Sequence, residues 1–146
     1  MFYDKIRLKY NYKDVFVLNM QLGLRGRAQT TVTSFNTAKA MGSGILDVFA
    51  TPAMVALMEQ AAVNCLELPE GQSSVGTSLN ITHIAATPLG SVVSATAELI
   101  EIDRRRLVFK VSACDEAGKI GDGKHERFII DVAPFLAKAQ SRKQVL

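Results

Sequence analysis

Apolar and polar positions along the chain keep two different periods, and the boundaries between them mark the elements. Residues 26–33, GRAQTTVT, are rich in β-branched side chains and predict a strand. SFNTAKAMGSG follows, a helical turn closed by glycines. Helix signals then coincide: Thr51 as N-cap, Pro52 at the first helical position, and strong helix formers through Leu66. Past Gly71 the period becomes two. SVGTSLNITHIAA (74–86) would put Val75, Thr77, Leu79, Ile81, His83 and Ala85 on one face. SVVSATAELIEI (91–102), RLVFKVSACD (106–115) and KIGDGKHERFIID (119–131) continue as strands with short turns between them. Leu107, Phe109, Val111 and Ala113 share a face of the second of these. VAPFLAKAQSRKQ predicts a short amphipathic helix with a basic outer face.

One long apolar helix followed by strands joined through hairpins predicts an α+β fold, with an antiparallel sheet covering one face of the helix. That helix is apolar nearly all round, so its other side needs cover too. A second subunit is the natural cover, which predicts an obligate dimer. The first nineteen residues differ in texture, mixing aromatics with Lys and Asp. They read either as an extra N-terminal strand or arm, or as an extension ahead of a start at Met20. The expected division is therefore 1–19 as an extension and 20–146 as the domain.

Composition narrows the class. At 146 residues the chain suits one domain with a real core. A net charge of +3 is too weak to imply nucleic acid, yet it is compatible with a phosphorylated ligand. Cys65 and Cys114 are far apart, there is no CxxC, and only two histidines are present, which argues against zinc. Both thiols read as core residues in a reduced, cytoplasmic setting. No apolar run approaches a membrane span.

Candidate chemistry begins with ATPAMVALMEQAAVNCL (50–66), where Glu59 is the one carboxylate in a segment that otherwise reads as core. A buried acid is costly unless paired, hydrogen-bonded or neutral. The plain alternative is that Glu59 reaches solvent at the helix edge or meets a backbone donor. His83, on a strand face with Leu79 and Ile81, tilts the balance, because acid and imidazole would face each other's element. Thr51 and Glu59 lie eight residues apart, roughly 12 Å along a helix axis. A site that uses both must therefore be assembled across a dimer interface. The helix N-terminus at Thr51 offers N–H groups to a developing oxyanion. His125, in KHERF, reads as a rim or structural residue. Arg104, Arg105 and Arg106 could meet phosphates but read more simply as a solvated hairpin tip.

ATPAMVALMEQAA (50–62), SVGTSLNITHIAATPLG (74–90) and DRRRLVFKVSACDEAGKIGDGKHERFIID (103–131) resemble the fluoroacetyl-CoA thioesterase-like branch of the hotdog fold. The resemblance runs from about residue 20 to residue 137. It implies a homodimer, with a tetramer as the further option, in which each sheet wraps a central helix. It also implies hydrolysis of an acyl-CoA thioester at the subunit interface. Carried onto this sequence, Thr51, Glu59 and His83 become the catalytic set. Gly76 becomes the backbone beside the acyl carbonyl, and Arg127 a substrate-contacting residue. CoA enters as part of the substrate, and no metal or organic cofactor is implied.

AKAMGSGILDVF, which should line the acyl end, has no aromatic between Ala40 and Asp47. That favours a broader or different short-to-medium acyl group over fluoroacetyl itself. Two other classes compete: an acyl-CoA hydratase or dehydratase of the same fold, and a non-catalytic acyl-CoA-binding module. The first normally pairs Asp with His on another local pattern, and the second has no need of Thr51, Glu59 and His83 together.

Overall fold

The computed structural model describes residues 20–145, with side chains through residue 143. Residues 1–19, where the extension was expected, lie outside the described residues. The elements are β1 (Arg25–Thr31), a one-turn helix α1 (Ala38–Met41), α2 (Thr51–Asn64), β2 (Gln72–His83), β3 (Val92–Asp103), β4 (Arg106–Asp115), β5 (Gly118–Asp131) and α3 (Val132–Ser141). A short 3₁₀ turn follows α3. All strand pairs are antiparallel, in the order β1-β3-β4-β5-β2. Successive hairpins build the middle of the sheet, and β1 and β2 are its edges.

The predicted face of β4 is the core face: Leu107, Phe109, Val111 and Ala113 are all buried, opposite Ile102, Leu99, Ala97 and Ala95 of β3 in that order. Burying a side chain such as Leu99 or Phe109 contributes about 1.5–3 kcal/mol. The alanines are as important as the large residues, because they let α2 lie close to the sheet with Met54, Leu57, Met58, Ala61 and Ala62 inward. At Gly26 of β1 the approach is closest. A Cβ there would overlap the Ala61 carbonyl and the Cys65 backbone nitrogen. Because both obstacles are backbone, Gly26→Ala is expected to cost at least about 2 kcal/mol. A fall in the urea midpoint at unchanged m-value checks this.

Three expectations need correction. The N-cap of α2 is Ala50, and Thr51 is the first helical residue. Its hydroxyl is bonded to His83 rather than to the helix's own N–H groups. In β2, a bulge between Gly76 and Ser78 breaks the period-two face. Ser74 and Gly76 face inward before the bulge, while Leu79, Ile81 and His83 face inward after it; Val75 and Thr77 do not join them. Finally, only Cys65 is a core thiol. Its S–H points at the Ala97 and Ala61 carbonyls, 3.4 and 3.5 Å away, and burial pushes its pKa up to about 11. Cys114 is exposed, because it follows the inward Ala113 on an alternating strand.

The β3–β4 hairpin turns at Arg104, whose φ of 55° lies in the left-handed region. Arg104 pairs with Asp103, Arg105 with Asp131, and Arg106 with both Glu101 and Glu126. Each of the three arginines therefore has an acidic neighbour, as a solvated hairpin tip would. The far side of α2 carries Pro52, Ala56, Gln60 and Val63, all exposed. This is the face that the apolar helix left for another covering. Among the described residues no helix is long and apolar enough to cross a membrane.

Candidate active site

Two clusters form on the inner face, one at each side of the helix run that sequence singled out. At the start of α2, Thr51 Oγ1 and His83 Nδ1 share a 2.8 Å hydrogen bond. Pro52 rigidifies this first turn, and β2 ends at His83, so helix start and strand end meet. The other imidazole nitrogen, Nε2, is buried without a hydrogen-bond partner among the described residues. A buried polar atom of this kind is a candidate functional group. The pair opens onto a cavity of about 290 Å³, lined by Ala38, Val48, Phe49, Ile84, Ala85 and Ala86 among others. Among the described residues no Lys, Arg, Asp or Glu lines it.

The second cluster centres on Glu59. Its Oε2 accepts from Arg127 Nη1 at 2.9 Å, and Oε1 has no hydrogen-bond partner among the described residues. Arg127 is buried, and each nitrogen of its guanidinium is engaged: Nε donates to Ser74 Oγ at 2.8 Å, Nη2 to the Ser74 carbonyl at 2.9 Å, and Nη1 also to His125 Nε2 at 3.1 Å. Burial lowers the Arg127 pKa, and the Glu59 carboxylate opposes that shift. Gly76 lies against the same carboxylate, where any Cβ would overlap Glu59 Oε2. The residue expected beside the acyl carbonyl thus sits beside the acid. Arg127, expected at the substrate, here holds Glu59.

His125 is where sequence reasoning fell short. It is completely buried, not at a rim, and its ring stacks on Phe109. Lys124, Glu126 and Phe128 point away, leaving His125, Arg127 and Ile129 on the core side. The apolar Ile129 at the same parity was the available signal. The His125 pKa is lowered chiefly by burial, with Arg127 adding to the shift; the Ser78 carbonyl, Glu59 and Glu126 oppose it. His125 Nε2 and Glu59 Oε2 are 3.8 Å apart, but a neutral ring makes this no ion pair.

The sign of the pH effect follows. The unfolded imidazole protonates near its ordinary pKa of about 6.5, while the folded one resists until a lower pH. His125 therefore costs nothing above neutrality and lowers stability as pH falls through that interval. The urea midpoint should drop more between pH 7.5 and pH 5.5 in wild type than in His125→Gln, which cannot titrate. Equal slopes would assign the acid sensitivity to carboxylates instead.

Thr51 and Glu59 do not meet within the chain: each has its own partners, as their spacing required. Phe49 is the other residue the sequence reading passed over. It supplies an aromatic wall to the cavity, just beyond the aromatic-free stretch from Ala40 to Asp47. Among the described residues no group of three or more His, Cys, Asp or Glu is placed to hold a metal.

A curled five-stranded antiparallel sheet against a central helix, with an acid on the helix and an imidazole on the sheet, is a hotdog-fold thioesterase. A solved fluoroacetyl-CoA thioesterase superposes with a TM-score of 0.80 at 38% identity, covering 84% of this chain and 97% of that one. A thioesterase superfamily member from Thermus thermophilus gives 0.78 at 28% identity, over 85% of this chain and 93% of that one. The family described as fluoroacetyl-CoA-specific thioesterase matches residues 32–133. A fluoroacetyl-CoA thioesterase from Streptantibioticus cattleyicolor is 46% identical over 98 residues, 66% of this chain and 70% of that protein. The chain belongs to the fluoroacetyl-CoA-specific thioesterase family.

Proposed function

We propose that the protein hydrolyses a small or medium, uncharged acyl-CoA thioester to the free acid and CoA, at a site shared by two subunits. The observation that carries this reading is the division of the expected catalytic set into two half-sites, Thr51–His83 and Glu59–Arg127. Both border β2, an edge strand of twelve residues whose outer side has no strand neighbour among the described residues. An unpaired edge of that length invites a second copy. Two β2 strands paired antiparallel about their midpoint would bring the His83 end of one toward Gly76 and Glu59 of the other. Ile84, directly after His83, is 65% exposed and would gain cover.

In the assembled site Glu59 Oε1 either takes the proton of a water that attacks the thioester carbonyl, or attacks it directly to give a mixed anhydride that water then hydrolyses. The C–S bond breaks as the tetrahedral adduct collapses, His83 relays a proton to the departing thiolate, and Thr51 orients the imidazole. The α2 N-terminus, which has no side-chain cap, faces the oxyanion. The cavity beside His83 is at the small end of ligand pockets, which suits a short-to-medium acyl group. Among the described residues its lining has no Lys or Arg to pair with a second carboxylate on the acyl group. The chemistry needs only water and these side chains, and the free thiols suit a reducing cytoplasm.

The test is thiol release from a panel of short, medium, aromatic and dicarboxylic acyl-CoAs. Hydrolysis of one uncharged class, with dicarboxylic esters spared, supports the reading. No release from any of them overturns it and leaves binding of intact acyl-CoA as the activity.

A further inference from the structure

Glu59 would be free to present either oxygen if it stood alone on its helix. It does not, and the residues behind it decide which oxygen reacts. The Ser78 carbonyl can only accept, so the 2.9 Å contact with His125 Nδ1 places the proton on Nδ1. Nε2 then carries a lone pair, and Arg127 Nη1 donates to it at 3.1 Å. The same Nη1 donates to Glu59 Oε2, while Ser74 takes Nε and Nη2. Four of the five guanidinium hydrogens are thereby directed, and the planar group cannot swing.

We propose that His125 is a positioning residue for thioester hydrolysis. Held as the neutral Nδ1–H tautomer by the Ser78 carbonyl, it fixes Arg127, which ties down Oε2 of Glu59 and leaves Oε1 as the reacting oxygen. This rests on the assignment of Glu59 as the reacting carboxylate. A misplacement of about 1 Å at a reacting atom can cost a hundredfold in rate, so the effect belongs in kcat.

A matched pair of variants separates positioning from packing. His125→Gln can place an amide oxygen where Nε2 was and accept from Arg127, losing the bond to Ser78. His125→Asn can keep a donor for Ser78 but falls short of Arg127. A purely structural role predicts comparable damage from both. Positioning predicts that H125N lowers kcat by about ten- to a hundredfold with KM within about twofold, while H125Q stays within about threefold of wild type. In an Arg127→Lys background, H125N should cost little more, because the fork it aligns is gone.

Equal kcat losses in H125N and H125Q, or full activity in H125N, overturn the proposal. Wild type gives an independent readout that needs no variant to fold: the chain has two histidines, and ¹⁵N imidazole shifts report the tautomer of each. An Nδ1–H pattern for His125 held from pH 8 to pH 6 is expected, and an Nε2–H pattern overturns it. Glu59→Gln is assayed alongside. If that variant stays active, the assignment of Glu59 has failed; if it is dead while H125N is not, only the role of His125 has.

Discussion

Glu59→Gln should lower kcat by about 10³-fold or more while the protein stays folded. Losses of that size are typical when the group that supplies or activates a nucleophile is removed, because no neighbouring side chain replaces it. Glutamine keeps the shape and can still accept from Arg127 Nη1, so binding of acyl-CoA should change little. It cannot attack, and it cannot take a proton from water. Some stability is lost as well, since Arg127 is 6% exposed and would no longer face a negative charge. Glu59 itself is partly open to solvent, which limits that loss to about 1–2 kcal/mol. Single-turnover thiol release, together with a urea titration, separates the two effects. A variant that is folded and retains more than about a tenth of wild-type kcat would remove Glu59 from the chemistry.

Two inactive variants should restore each other when mixed. Thr51→Ala and Glu59→Gln damage different half-sites, and the proposed site takes one from each subunit. In a mixed dimer one site combines both defects, while the other combines intact Thr51 and intact Glu59. With random pairing, activity should return to about a quarter of the wild-type value at equal protein. Co-expression with two distinct tags, then purification of the mixed species, makes the measurement clean. No recovery in purified heterodimers would mean that each site draws all its residues from one chain. The outcome bears directly on how Thr51 and Glu59, separated along one helix, come to act together.

Much of this was legible before any coordinates. The helix was signalled by Thr51-Pro52 and an apolar run, and β4 by an alternation that burial reproduces except at Val108, which is buried as well. That His83 turns toward the helix followed from its place on the strand; its bond to the Thr51 hydroxyl did not. What stayed hidden were departures from period. Nothing in SVGTSLNITH announces that Thr77 is an extra residue, since Ser, Gly and Thr suit either face. The site at Glu59 depends on that slip, because it turns Ser74 and Gly76 inward. His125 was hidden for a different reason: its flanking charges look like a solvated edge, and only the lattice of Ser78, Arg127 and Phe109 around it removes it from water. The one-residue error at the helix cap has a chemical cause. A threonine hydroxyl that could have capped its own helix is spent on an imidazole across the fold.

The bulge in β2 also constrains how this gene can change. Gly76 and His83 must both face α2, although the seven residues separating them in number would ordinarily place them on opposite sides of a strand. Thr77 supplies the odd step. Loss of one residue between them, or gain of one, would turn half the site to the outside, whereas paired losses or gains preserve both orientations. Length variation among descendants of this chain should therefore be confined to even numbers in this stretch, and a library of single deletions across 77–82 should yield folded sheets with only one half-site intact.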